Sequence, residues 1–470
     1  MSSRPRSQPD AAVDPVPPHK TSRFFGDPWV SVYNGLLEDG SLAQASVEQL
    51  RTEQARRRLS FGERPLSISL RPNLIGRDRY AEAMGAAKAL HGALARLERA
   101  LLADPALRAQ LDLQPEEERL ALADPGSRAS STSSRLDSFF GRQVRYVEYN
   151  AESPAGIAYE DNLAQAFEGL PVMRAFRNRF RIRSVPVRPR QLAAMLSAFG
   201  QWGKGDRPVV AIVDWMGLPT ATEFDLFRQF FESHGVPTVI CDPRQLELGK
   251  GGLYVAGTRV NLVYRRVLTS ELLARADEVR PLLDAYAAGD VCVVNTFRAK
   301  LLHKKMSLAL LSDERYARLY TPGQRRVIAR HVPWTRKVVA GPSSRDGRAL
   351  DDLLAHCAAH REELVLKPND DYGGRGVVLG WTVDQASWEQ ALEVAASESY
   401  VVQQAVEVPR EPFPVAADGV QVLDLAIDLD PYLFQGRPAG CLTRLSSSAL
   451  LNVTAGAGSI VPTFVVEGPT

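Results

Sequence analysis

The chain has 470 residues, 45% hydrophobic and 24% charged, a globular mixture long enough for two or three domains. Lys and Arg number 57 against 55 Asp and Glu, and the net charge of +2 gives no bulk attraction to nucleic acid or to a membrane surface. Four scattered cysteines, Cys241, Cys292, Cys357 and Cys441, form no CxxC pair, which argues against a zinc ribbon or redox motif and fits a reducing, cytoplasmic setting.

Residues 1–23 are rich in Pro and Ser and lack the apolar stretch of a secretory signal, so a disordered tail is expected there. No apolar run reaches the roughly 18 residues that a membrane helix needs. Residues 27–75 mix helical and extended signals, with a short proline-bounded strand over 65–72. A helix is expected over 78–103, because Ala87, Leu90, Leu94, Leu97 and Leu101 recur at spacings of three and four and make one apolar stripe. A polar loop over 124–134 precedes two strands, 137–140 and 144–150, and a helix over 159–167.

Between 208 and 295 the pattern changes. Strands are expected at 209–213, 237–241 and 291–294, with a helix over 223–234 ended by Gly235, and a hairpin over 252–266 turning near Gly257. That alternation predicts a small α/β unit with a partly parallel sheet. Beyond 296 come a helix over 300–311, a loop at 341–347, a helix over 350–360, strands at 364–367, 377–379 and 400–403, and several antiparallel strands from 421 onward. Residues 202–205 read as a linker.

Residues 364–378, LVLKPNDDYGGRGVV, carry the strongest chemical signal. A strand delivers Lys367, and a loop with Tyr372, Gly373, Gly374 and Gly376 comes next. Glycines let backbone N–H groups approach phosphate oxygens, and lysine supplies a charge for them. Taken alone, the segment is equally a glycine turn in a hairpin. The Walker A pattern is absent. The strand over 400–406 ends in Gln403 and Gln404 and could present main-chain groups to an adenine edge, or be plain core. Glu148 and Asn150, two apart on a strand, share a face and could offer hard oxygens to magnesium, with Asp137 as a third donor on the preceding strand. A solvated strand face is the bland alternative. His356 and His360 are four apart on a helix without a third ligand nearby. Asp214, Thr222 and Glu223 come after the first parallel strand, where ligands or a helix cap are both natural.

Together these parts resemble the ATP-grasp ligases. The Glu-x-Asn pair precedes the lysines and hinge, an order similar to the circularly permuted branch typified by the synthetase domain of glutathionylspermidine synthase. The resemblance runs from about Arg135 to the C-terminus, with gaps. It implies an α+β, circularly permuted ATP-grasp fold with an inserted small α/β (pre-ATP-grasp, Rossmann-like) domain. The expected division is 24–190 for the metal-bearing part, 191–298 for the α/β unit, and 299–470 for the lysines, glycine lid, hinge and final strands.

By the same resemblance Asp137, Glu148 and Asn150 bind magnesium, and Arg135 and Arg444 assist catalysis. Ser153 helps hold the substrate. Lys305 (or its neighbour Lys304) and Lys367 bind ATP with the glycine loop, and Gln403, Gln404 and Val406 form the adenine hinge. Residues 452–458 resemble the same family's C-terminal segment. The implied activity joins a small-molecule or peptide carboxylate to an amine through an acyl phosphate, releasing ADP and phosphate. A silent ATP-binding regulator and a kinase-like phosphotransferase are the alternatives. There is no sign of an amidase half, Gln404 stands where an acidic residue is common, and the substrates do not carry over.

Overall fold

The computed structural model describes residues 21–23 by their backbone, and 27–62, 64–204, 207–417, 419–448 and 458–470 in full. The expected tail therefore falls outside the described residues up to position 20. Its last three residues form the strand Thr21–Arg23, which pairs in parallel with Val408–Arg410. Residues 452–457 of the C-terminal segment also fall outside.

The strongest periodic signal gives the longest element, the helix Arg77–Ala103. All five residues of its stripe are fully buried, and they pack with Leu136, Tyr146, Tyr149 and Leu433 on the back of a four-stranded sheet. That sheet has the order Arg437–Leu442, Asp430–Phe434, Ser133–Phe140, Val144–Asn150. Chain segments almost 300 residues apart thus lie side by side, with Arg135 opposite Tyr432. Likewise Asn73–Gly76 pairs in parallel with Thr463–Pro469. The two largest core clusters each draw on residues from both ends of the chain.

A second four-stranded sheet faces the first, in the order Thr335–Lys337, Tyr400–Gln404, Leu364–Pro368, Val378–Leu379. Its period-two pattern sorts side chains by face. Leu364, Leu366 and Val402 pack with Trp388 and Leu392 of a covering helix, Gln385–Ser397. Val365, Lys367 and Gln403 point the other way, into the cleft between the sheets, where the Lys367 ammonium donates to the carbonyl of Val147 at 3.3 Å.

The α/β unit holds a fully parallel sheet, Cys292–Val294, Leu262–Arg265, Val210–Val213 and Thr238–Cys241 in that order. The expected hairpin is half right: Gly252–Val255 and Thr258–Val260 pair antiparallel, and Leu262–Arg265 then leaves them to join the parallel sheet.

Other expectations fail locally. The proline-bounded strand at 65–72 is largely irregular, because its extended residues pair elsewhere only at Arg64–Pro65 and through Ser69. Residues 341–347 lie in a hairpin, Ser343–Arg345 with Arg348–Leu350. The 300–311 helix breaks in two, Lys300–His303 and Met306–Ser312. Residue 202 is no linker: buried Trp202 closes the helix Arg188–Trp202 and donates its indole N–H to Gly289 O at 3.2 Å. The helices Pro28–Leu36 and Gly40–Arg57 were not legible as such, since tertiary packing rather than a clean stripe supports them.

Candidate active site

The hairpin of Ser133–Phe140 and Val144–Asn150 carries the acidic side of the cleft. Asp137 stands opposite Glu148 and Arg135 opposite Asn150. Between Asp137 and Ser138 the register shifts, so that Val147 is an extra residue on the second strand. Such a bulge re-aims the side chains beyond it. Val144, Tyr146 and Tyr149 all face the core, whereas Glu148 and Asn150 are turned to the cleft. Strict alternation would have put Tyr146 and Glu148 on one face.

The basic side comes from two places. Lys367 lies on the strand Leu364–Pro368. Lys305 lies where the 300–312 helix breaks, and the break is held by Asn369. Lys305 N–H donates to Asn369 O at 2.9 Å, Met306 N–H to its side-chain oxygen at 3.0 Å, and the Asn369 amide donates to Leu111 O at 2.9 Å. One asparagine, two residues after Lys367, thus brings the other lysine alongside. Lys305 Nζ reaches Glu148 Oε1 at 3.2 Å and donates to Asp371 O at 2.5 Å. Lys304 turns away, to Glu117 at 2.9 Å and Asp370 at 3.2 Å.

Burial would raise the Glu148 carboxyl, but Lys305 foremost, then Lys367 and His303, hold it below its ordinary value. Burial pushes the Lys367 ammonium down to about 8, with Glu148 opposing and neighbouring Lys305 adding to the fall. A lysine so poised is short of negative charge.

Arg135 and Arg444 meet on Asp137. Arg135 donates to both carboxylate oxygens, at 2.7 and 3.0 Å, and Arg444 Nη2 to Oδ2 at 2.9 Å. Arg444 also binds Asp428 at 2.6 Å and Asp430 at 2.8 Å. Asp428 and Asp430 were not singled out from the sequence, although an Asp-x-Asp leading into a strand was a readable signal. Asn150 donates its amide to Asp137 Oδ1 at 2.8 Å. Ser153 is engaged with the Arg266 carbonyl at 2.7 Å.

The glycine loop has Gly373, Gly374 and Gly376 at φ of 67°, 78° and 65°, where side chains are disfavoured. Tyr372, exposed, reaches across to Glu271 of the α/β unit at 3.1 Å. The 400–406 hinge divides. The Gln403 main chain is paired within the sheet, and its side chain instead holds Lys367 at 2.7 Å and Thr335 at 3.0 Å. Gln404 and Ala405 donate their N–H groups to Trp334 O and Glu363 O, both at 2.8 Å. Gln404, Ala405 and Val406 line a cavity of about 700 Å³ with Trp334, Leu311 and Arg145.

His356, His360, Glu223 and Asp214 have partners within the protein. His356 and His360 stack on each other, ring centroids 4.1 Å apart. Buried Glu223 accepts from Gly156 and Ala158 N–H at 2.8 and 3.2 Å. Asp214 accepts from Trp215 N–H at 2.8 Å, and burial pushes it up to about 6. Among the described residues no group of three or more His, Cys, Asp or Glu is placed to hold a metal ion, and no helix is long and apolar enough to cross a membrane.

Two facing sheets with a lysine-and-carboxylate cleft, and a parallel α/β unit beside them, define a mixed α+β fold. One solved structure sharing it is a glutathione synthetase like-effector, GSS30, from Globodera pallida in its apoform, with a TM-score of 0.61 at 12% identity, over 92% of this chain and 99% of that one. At that identity the likeness is one of fold. D-cycloserine synthetase DcsG overlaps 52% of this chain and 94% of its own at 14% identity, with a TM-score of 0.26 that bears no weight. No protein-family model and no curated protein matches the sequence.

Proposed function

We propose that the chain is an ADP-forming carboxylate–amine ligase on a circularly permuted ATP-grasp fold, with the α/β unit inserted at about 191–298. What supports this reading above all is the meeting of Lys305 and Lys367 with Glu148 in one cleft, from parts of the sequence more than 150 residues apart. The cavity bounded by Gln404 and Val406 suits the base of ATP. Leu364 pairs with Gln404 and Lys367 with Val401, so the lysine lies three residues further along the same strand, about 10 Å away at roughly 3.4 Å per residue. That span lets the phosphates reach both ammonium groups.

Magnesium fits in part. Glu148 and Asn150 offer hard oxygens from one strand face, and magnesium takes few protein ligands when phosphates supply the rest. When bound, it would neutralise phosphate charge. The chain's own residues do the remaining work. Lys305 and Lys367 give up Glu148 for the phosphates, and Arg444 steadies the group being transferred. The glycine loop, latched through Tyr372 to the α/β unit, keeps water from an acyl phosphate until an amine captures it. The acid and amine are small molecules or peptides.

The test is ADP release during a screen of amino acids, small peptides and polyamines, with products read by mass spectrometry. Amide product with ADP is expected, and Lys367→Ala and Glu148→Ala should abolish it while circular dichroism stays unchanged. Undiminished release by either variant would refute the assignment. A stable phosphorylated product would make the protein a kinase, and nucleotide binding without turnover a regulator.

A further inference from the structure

The Asp137 carboxylate is fully taken up by hydrogen-bond donors. A carboxylate offers about four lone-pair positions. Here four donors take them: Arg135 Nε at 2.7 Å and Asn150 Nδ2 at 2.8 Å on one oxygen, Arg135 Nη2 at 3.0 Å and Arg444 Nη2 at 2.9 Å on the other. Arg135 is bound as a bidentate fork, the strongest geometry a guanidinium makes with a carboxylate. A divalent ion on either oxygen would have to displace one of these donors and would sit against a guanidinium. The rest of the cluster agrees. Arg444 is also held by Asp428 and Asp430, both buried, so it is not free to swing away from Asp137. Arg135 is tied by a further hydrogen bond to Ala155 O at 3.1 Å.

We infer that Asp137 is a positioning residue rather than a metal ligand: it fixes the two guanidiniums and turns the Asn150 amide so that its oxygen, with Glu148, holds the cation. This rests on the ligase reading of the site. Asp137 then acts on the reaction through Arg444 and Asn150, and the cation site has two protein ligands rather than three.

Manganese affinity, read by electron paramagnetic resonance in the presence of a non-hydrolysable ATP analogue, separates the roles. Glu148→Gln should weaken binding tenfold or more, and Asp137→Asn less than threefold. Basal ADP release in ATP alone should show Asp137→Asn lowering kcat at least tenfold with the KM for ATP within twofold. Asp137→Asn weakening manganese as much as Glu148→Gln overturns the inference. Should that variant not fold, Asn150→Ala serves instead: with two protein ligands it should weaken manganese about as much as Glu148→Gln does, and an affinity within threefold of wild type overturns the inference, since the cation would then rest on Asp137. A wild-type protein that binds no manganese–nucleotide removes the ligase reading itself, a result distinct from any variant effect.

Discussion

At the residue scale Lys367 shows how function and stability oppose each other. Its ammonium lies half-buried and is pushed down to about 8 from an ordinary 10.5. The folded state therefore binds that proton less tightly than the unfolded chain. The destabilisation is fully present below pH 8 and is relieved as pH rises from about 8 to 10.5, an effect on the order of 3 kcal/mol. Lys367→Met should accordingly raise the urea midpoint of the nucleotide-free protein at pH 7, with the advantage shrinking toward pH 10. The same variant should lose at least a hundredfold in ATP affinity by calorimetry. Wild-type affinity for ATP should itself fall above pH 8, as the ammonium loses its charge. Lys367 was readable because strand, lysine and glycines are contiguous. The partners that poise it were not: Gln403 looked like a hinge residue, and only the sheet register reveals that its amide oxygen meets the lysine.

At the element scale the glycine loop is specific position by position. A Cβ on Gly376 would lie 2.7 Å from Pro368 Cγ and 3.1 Å from the Tyr400 hydroxyl, whereas one on Gly374 would meet nothing within 4 Å. Both have positive φ, so each alanine incurs a backbone penalty of roughly 1–2 kcal/mol. Only Gly376→Ala also pushes on the proline next to Lys367. It should raise the KM for ATP severalfold more than Gly374→Ala, while both lower the melting temperature. Equal kinetic effects would show that the loop works through flexibility alone. The element scale is also where sequence reading was most uneven. The 87–101 stripe fixed the long helix within one residue, because apolar periodicity is local. The bulge at Val147 left no mark in composition, yet it is what separates Tyr146 from Glu148. The break at Lys304 and Lys305 was hidden because its cause, Asn369, lies 64 residues downstream.

At the scale of the whole molecule, three parts of the chain are tied by one carboxylate that sequence reasoning passed over. Glu152 lies just past the carboxylate hairpin and is fully buried. It accepts from Arg265 of the parallel sheet at 3.0 Å, from Thr269, and from Lys300 at 3.3 Å; Lys300 in turn holds Asp370 of the glycine loop at 2.6 Å. Nothing local in the sequence announces such a junction, since its members are spread over more than 200 residues and each alone reads as a surface charge. Nor could pairing such as 133–140 with 430–434 be foreseen, although the early position of Glu-x-Asn hinted that distant segments meet.

Removing one member of a buried ionic set leaves the others without compensation, a loss of about 3–5 kcal/mol. Glu152→Gln should therefore lower the unfolding free energy by that order at pH 7. Burial would raise this carboxyl, but Lys300 foremost, then Arg265 and His303, hold it well below 4.5. Its contribution is present above the unfolded value of 4.5 and is lost as pH falls toward the folded one. The gap between wild type and Glu152→Gln should thus be constant from pH 7 to about 5 and narrow below 4.5. Urea unfolding followed by tryptophan fluorescence across that range checks it. A gap independent of pH would mean that Glu152 acts by shape and hydrogen bonding rather than by charge. Because the junction reaches Asp370, the variant should also loosen the loop, seen as faster proteolysis within 370–376. Intact protection there would leave the three parts joined by packing alone.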